Sequence, residues 1–362
     1  MIFYFLVFLI SSLLFYIGSN RRYKWNIFIL VAIFIPCYVA GARAESIGTD
    51  TTVYWGIYDA ISTLNYEDFI LASFSVEPSF FMISKLSYNL GGVFYLFFIY
   101  QLITVVPIYL TAYKYKKQLN MGVVFLVYFC FLYTLSFNIM RQVAAVAILL
   151  YGTSFLFDKS KHKIYKYMIF SVIGMLFHSS ALIGCIFIFI LYKFFYQKGQ
   201  NLYVVIYIAG LIMMLCAFLY IGPLLANINI GRFSDYGNSY AVQRSSYVSV
   251  TELLYRSLFA ILIWTASFWK FIDKRYLRFY TMLLITETMI MFLGLYNGFL
   301  VRIAVYFTIF HLIGLSLIAN SKRLTVSSRI VYNSLIIVFC LIYFYWTIVH
   351  NGTNEVIPYK FA

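Results

Sequence analysis

Apolar residues along this chain come in runs of about 15–22, separated by short loops rich in lysine and arginine. A membrane-crossing helix needs about 20 mostly apolar residues, and the runs predict twelve such spans. They lie at about 2–18, 25–42, 91–112, 120–137, 140–157, 164–178, 180–196, 201–221, 253–270, 277–295, 299–318 and 330–348. The tightest stretch is 164–196, where 33 residues must cross twice at about 1.5 Å per residue. A single crossing there would turn the later basic loops to the other side, so a hairpin with "FHSSA" at its tip is expected. Two long segments, 43–90 and 222–252, are too polar to span. Within the first, "YWGIYDAI" and "SFFMISKLSYNL" have helix-like apolar spacing and are expected to lie on the membrane surface.

The positions of the charges orient these spans. Of the 27 lysines and arginines, 19 fall in six alternate loops: 21–24, 113–118, 158–166, 193–201, 270–278 and 320–329. The positive-inside rule places those loops in the cytoplasm, and both termini and both long segments outside. The net charge of +15 is thereby explained as a topology signal, and no nucleic-acid partner is needed. Composition agrees, with 63% hydrophobic and 11% charged residues. The fold class expected is an all-α polytopic membrane protein of about twelve helices, with 1–362 a single membrane domain. The first run lacks a basic leader and a small-residue cleavage site, so it is expected to be a retained span.

Several chemistries find no support. The five cysteines and four histidines are scattered singly, and no nucleotide-cradling glycine motif is present. No metal and no other cofactor is expected. What remains is a set of polar residues at the outward face. Six of the eight basic residues there are arginine, whose planar fork suits phosphate oxygens.

Each candidate has two readings. Arg43 ends the second span and could anchor at the interface, but Glu45, Asp50 and Asp59 follow closely. Asp50 could cap the next helix or act as a base, and Gly48-Thr49 offers a turn that would return it toward Arg43. Arg141 in "SFNIMRQVAA" sits at a turn between spans, flanked by Asn138 and Gln142. Arg302 lies about one turn into a span, where a charge is costly unless used. His178 could be structural, or could move protons near neutral pH. Glu77, before Pro78, could be a helix-start acid or a catalytic one. Glu287, in mid-span, is expected to pair with an arginine. Arg232, Arg244 and Arg256 accompany the second long segment.

The stretches "RAESIGTDTTVY", "EPSFFMISKL", "NIMRQVAAVAILL", "FHSSAL" and "RIAVYF", in this order, resemble the EpsG family, which is grouped with the Wzy-type O-antigen and capsule polymerases. The motifs run from about residue 43 to 307; the terminal spans and 222–252 match none. The resemblance implies a GT-C-like glycosyltransferase in the bacterial inner membrane. It would join undecaprenyl-diphosphate-linked oligosaccharide repeat units at the outer face, without a nucleotide sugar; the arginines could meet the leaving diphosphate without metal. A chain-length regulator and a flippase of the same pathway are the implied protein partners. Within the motifs it points to Arg43, Gly48, Thr49, Asp50, Tyr54, Glu77, Asn138, Arg141, Gln142, His178 and Arg302. Chemistry assigns Asp50, His178 and Glu77 to proton transfer. Arg43, Arg141, Gln142, Asn138, Arg302, Arg256 and Tyr54 are assigned to holding diphosphate and glycan.

Two other functions share this composition. A flippase for the same lipid-linked oligosaccharide would be equally basic and polytopic, but transporters are commonly built from repeats with charges near the midplane. No repeat is visible here, and the charges gather at one face. An O-antigen ligase would use the same arginines and differ only in its acceptor.

Overall fold

Helix starts follow directly from capping residues. Asn26 accepts the Ile29 N–H at 3.3 Å to open α2, Ile27–Gly41, and Asn120 accepts the Gly122 N–H at 3.0 Å to open α7, Met121–Tyr128. Thr325 does the same for α14, Val326–Phe344, through the Ser328 N–H at 3.2 Å. Pro78 sits at the first turn of α5, Pro78–Leu90, where its missing N–H costs nothing. The computed structural model describes residues 1–71, 76–198, 205, 207–210, 259, 273–294 and 298–362.

The other helices are α1 (Ile2–Ser19), α3 (Thr51–Ile61), α4 (Tyr66–Leu71), α6 (Val93–Lys114), α8 (Met140–Leu156), α9 (Lys163–Phe177), α10 (Ala181–Leu191), α11 (Lys274–Gly294), α12 (Gly298–Thr308) and α13 (His311–Ala319). Three of them run on as wider π-helical turns: α7 through Phe129–Tyr133, α10 through Tyr192–Lys198 and α14 through Tyr345–His350. Among the described residues, four stretches are long and apolar enough to cross a membrane: Ile2–Ser19, Val93–Lys114, Val301–Ala319 and Val326–His350. Shorter apolar helices accompany them, and together they make a multi-pass membrane protein. Ten of the twelve expected spans coincide with helical segments. The remaining two, 201–221 and 253–270, fall largely outside the described residues, as does all of 222–252. The chain leaves helix at His178–Ser180, between α9 and α10, where the hairpin tip was expected.

The contacts divide the chain into two compact units. The first comprises Met1–Leu182 and His311–Ala362. In it α1 packs on α2 and α7, α2 on α6, and α6 on α8, which in turn packs on α9. Helix α8 is buried along most of its length, including Gln142, Thr153 and Ser154. The two segments expected to lie on the membrane surface do form helices, α3 and α5. Their apolar faces, though, are buried on the helical core. Tyr54, Tyr58 and Ile61 of α3 join Phe80, Phe81 and Ile83 of α5, Leu96, Phe97 and Tyr100 of α6, and Met140 and Ala144 of α8 in one cluster. The apolar spacing that led to the surface expectation instead serves this cluster, which their aromatic rings largely fill.

The second unit, Ile183–Phe310, contains α11 packed on α12. The buried Glu287 accepts a 2.6 Å hydrogen bond from the Thr308 hydroxyl, and Tyr207 meets Thr286 at 2.7 Å. At Gly184 the Tyr306 ring comes so near that a Cβ would lie 2.5 Å from its Cδ1, so no larger residue fits without moving that ring.

Topology is directly measurable in a background without the native cysteines. Asp59→Cys is expected to react with an impermeant thiol reagent from outside, whereas Lys161→Cys and Lys322→Cys react only after permeabilisation. Reaction of Asp59→Cys and Lys161→Cys from the same side would overturn the assignment of faces.

Candidate functional site

Arg43 follows the end of α2 and is only 2% exposed. Burying a guanidinium costs several kcal/mol unless its protons are taken up. The loop that follows supplies part of the compensation. Nη1 donates to the Ala40 carbonyl at 2.7 Å, one of the orphan acceptors at the end of α2, and Nε donates to Thr51 Oγ1 at 3.3 Å. Two rings complete the surroundings, Phe97 of α6 at 3.7 Å and Phe137 at 4.5 Å from the guanidinium carbon. Desolvated cation–π contacts of this kind are worth ~2 kcal/mol each. Burial still pulls Arg43 down to about 10, so the group stays protonated at neutral pH. Its Nη2 has no hydrogen-bond partner among the described residues.

The turn after Arg43 is closed from the far end of the chain. Gly48, at φ 96°, donates its N–H to the Glu355 carbonyl at 3.0 Å. A Cβ there would stand 2.7 Å from Asn138 Oδ1 and 2.9 Å from Thr51 Oγ1, so both its backbone angle and its neighbours require glycine. Arg43 and Phe361 form an isolated antiparallel bridge, with Ala44 N–H on the Lys360 carbonyl and Ala362 N–H on the Ala42 carbonyl, both at 2.9 Å. Asn138 Nδ2 reaches Asn354 Oδ1 at 3.1 Å, and Asn354 Nδ2 reaches Thr134 Oγ1 at 3.3 Å. The polar tail after α14 is therefore a wall of the Arg43 turn.

A second constellation forms one turn further along α3, beside Tyr54. Glu77, Arg141 and His178 come from the segment before α5, the first turn of α8 and the α9–α10 break. Glu77 Oε2 pairs with Arg141 Nη1. Glu77 Oε1 lies 3.6 Å from His178 Nδ1 and accepts the Ser179 N–H at 3.4 Å. The guanidinium of Arg141 also sits 5.5 Å from the Phe80 ring and 5.8 Å from the Tyr54 ring. The side chains of Glu77, Arg141 and His178 remain 16%, 20% and 27% exposed, so a ligand can reach all three. His178 Nδ1 also accepts the Ser180 N–H at 3.4 Å, and the Glu77 carboxylate beside the ring stabilises an imidazolium when the ring takes up a proton. The arrangement can accept a proton, and it presents a cation beside the proton acceptor.

Five of the sequence candidates, Tyr54, Glu77, Arg141, His178 and the buried Gln142 one residue along α8, thus fall in or beside this constellation. Arg43 and Asn138 belong to the neighbouring turn. Asp50 does precede α3, but its side chain makes no cap bond; it accepts the Thr49 hydroxyl at 3.0 Å. The residue that the glycine turn returns to Arg43 is Thr51. Arg302 lies on α12, half-buried, in the second unit. Arg256, Arg232 and Arg244 lie outside the described residues. Thr51, Phe97, Phe137 and Asn354 were not singled out from sequence. Only the neighbourhood of Phe137 and Thr51 to recognised motifs signalled them, and the tail carried no signal.

The family model described as EpsG family matches residues 25–361, running beyond the last recognised motif into the tail. No curated protein and no solved structure matches the chain.

The Arg43 turn and the Glu77 constellation separate by experiment. Arg43→Lys keeps the charge but cannot make both hydrogen bonds and lie flat between two rings. It is expected to cost about 1–3 kcal/mol, read as a lowered Tm in detergent. Gly48→Ala and removal of residues 352–362 are expected to lower Tm in the same way, whereas Arg141→Ala leaves it within about 1 kcal/mol of the wild type. An unchanged Tm in the truncated chain would show that the tail does not hold the turn.

Proposed function

The chain belongs to the EpsG family, which is related to the Wzy-type polymerases, and we propose that it is a metal-independent glycosyltransferase of lipid-linked oligosaccharides. It joins repeat units carried on undecaprenyl diphosphate at the outer face of the bacterial inner membrane. The observation that carries this reading is the convergence of Glu77, Arg141 and His178 from three separate segments onto one accessible spot.

In the reaction, the terminal hydroxyl of one lipid-linked unit attacks the anomeric carbon of the glycan held on another carrier. The new C–O bond forms as the bond from that carbon to the diphosphate breaks, and the electron pair leaves on the diphosphate. His178 accepts the hydroxyl proton, and Glu77 holds the ring and stabilises the imidazolium. Arg141 faces the developing charge on the leaving diphosphate, with Tyr54 and Phe80 fixing its plane. Gln142, Asn138, Arg302 and Arg256 assist in binding diphosphate and glycan, and Arg43 does so by holding the turn in place. Asp50, whose side chain accepts the Thr49 hydroxyl, is assigned here to the outer rim and not to this acid–base pair.

Purified protein supplied with undecaprenyl-diphosphate-linked repeat units tests the proposal. The wild type is expected to produce a ladder of lengthening glycans, unaffected by a chelator. His178→Ala and Glu77→Gln should each cut it by at least ~100-fold, and Asp50→Asn by only a few-fold. Transfer to another lipid without lengthening would instead make the protein a ligase, and transbilayer movement without transfer a flippase.

In cells, Arg141→Ala and Arg302→Ala are expected to abolish polymer while membrane abundance stays normal. Arg141→Lys should rescue poorly, because an ammonium lacks the two-pronged fork. Full polymer from Arg141→Ala would remove that residue from the site.

A further inference from the structure

The connection between α1 and α2 and the connection between α6 and α7 enclose a cavity of about 280 Å³. Ser19, Asn20 and Arg21 line it from one side, and Lys116, Lys117 and Asn120 from the other. No carboxylate is in the lining, and neither 21–24 nor 113–118 contains an acid. The neighbouring Lys114 is neutralised by Asp158 at 2.8 Å, and Arg275 faces Asp273 at 3.5 Å. Arg21, Lys116 and Lys117 make no ion pair among the described residues. Arg21 lies 5.1 Å from the Phe28 ring, and the Lys116 ammonium rests 4.4 Å from the Tyr113 ring and 3.2 Å from its hydroxyl. Three cations held around one hollow with no counter-charge among the described residues raise the local anion concentration, and an anion bound among them relieves their mutual repulsion.

We propose that this cavity is a binding site for a phosphate group, and that its occupant is the headgroup of an anionic membrane phospholipid. Phosphate matches the donors present: a guanidinium, two ammoniums and the side-chain amides of Asn20 and Asn120 line a space of headgroup size, while the Ser19 hydroxyl is engaged with the Tyr16 carbonyl at 2.8 Å. Three observations favour a lipid over a soluble phosphate. Aromatic residues of the type that gather at a membrane interface adjoin the cavity: the Lys116 ammonium of its lining rests on Tyr113, the Lys24 ammonium lies 5.3 Å from the Tyr113 ring and 5.4 Å from the Trp25 ring, and Tyr23 and Trp25 are exposed. Its wall includes Tyr16, and from Tyr16 an exposed stripe of Leu13, Leu9 and Leu6 descends α1 at helical spacing, a track for an acyl chain below the headgroup. The cavity is bounded on one side by the close approach of α7 to α1, where a Cβ on Gly122 would lie 3.2 Å from the Tyr16 Cβ, so that side leaves no room for a chain to pass between the two helices.

The full-length protein in phosphatidylcholine nanodiscs, with phosphatidylglycerol raised to about 30% of the lipid, provides the test. Lipids retained by the protein are counted by native mass spectrometry, and Tm is read in parallel. The wild type should retain phosphatidylglycerol at low mole fraction. The variant Arg21→Gln/Lys116→Gln/Lys117→Gln should require at least about tenfold more for the same retention. The control Lys159→Gln/Lys161→Gln/Lys163→Gln removes as many charges from another basic loop and should shift retention less than about twofold. Equal Tm of both variants in pure phosphatidylcholine checks folding. Should the triple variant fail that check, Arg21→Gln alone, an exposed side chain, is expected to shift retention by several-fold. A second arm adds inorganic phosphate at constant ionic strength to phosphatidylcholine discs. Stabilisation of the wild type there, lost in the triple variant, sustains the phosphate site but overturns its lipid source. Retention of phosphatidylglycerol that is the same in wild type and triple variant overturns the site altogether.

Discussion

A guanidinium with no carboxylate partner among the described residues, placed between two phenylalanine rings, is the constraint that organises the first unit. Arg43 can be buried only because four different parts of the chain meet its requirements at once: the last turn of α2 through Ala40, the start of α3 through Thr51, α6 through Phe97, and the turn before α8 through Phe137. Removing any one leaves part of a costly charge without compensation, so the elements are bound to one another through it. The tail adds a backbone bridge at Phe361 and a carbonyl for Gly48, which fixes the loop from the solvent side. Such a position is structural in its contacts and functional in its consequences.

Those consequences run along α3. Thr51 opens the helix, and Tyr54, Tyr58 and Ile61 follow on the same buried face at helical spacing. Anchoring Thr51 on Arg43 therefore sets the rotation of α3, and that rotation puts the Tyr54 ring beside Arg141. Arg141 in turn holds Glu77, and Glu77 faces His178. The path from the buried arginine to the accessible acid–base pair is a chain of direct contacts. It explains how a residue too buried to meet substrate can belong to the same motif set as residues that meet it.

Much of this was legible beforehand, and the misses have physical reasons. Apolar run lengths and alternating basic loops pointed to the spanning helices, and the helix break at His178 followed from keeping the later basic loops on one side despite the shortness of 164–196. The resemblance located the relevant stretches, because family motifs preserve order even when their contacts are unknown. Pairing of Glu77 with Arg141, 64 positions apart, has no periodic signature and needed the fold. Asp50 attracted attention as a carboxylate beside a glycine turn, yet the neighbouring Thr51 is the residue that reaches Arg43, a one-residue difference that turn chemistry alone does not resolve. The final residues, 351–362, read as a polar end after the last span. Much of their role depends on backbone carbonyls and amides, which every residue type carries, and the side-chain bonds of Asn354 join positions about 220 residues apart with no pattern in the sequence to announce them.

The stretch from Phe137 to Arg141 shows why the membrane setting concentrates function in irregular backbone. An unbroken α-helix would point residues 137, 138 and 141 over little more than one face. Here a π-helical turn at Phe129–Tyr133 and a 3-10 turn at Leu135–Phe137 precede α8, and these changes in winding send Phe137 under Arg43, Asn138 to Asn354 and Arg141 to Glu77. At membrane depth such backbone survives only where protein surrounds it, and every residue from Phe129 to Tyr133 is buried. The cost of departing from a regular helix is met by packing from α1 and α14, through Phe8 stacked 5.1 Å from Phe129 and Tyr343 stacked 4.1 Å from Phe131. Helices far from any reacting group thus determine whether three neighbouring side chains can serve three separate contacts.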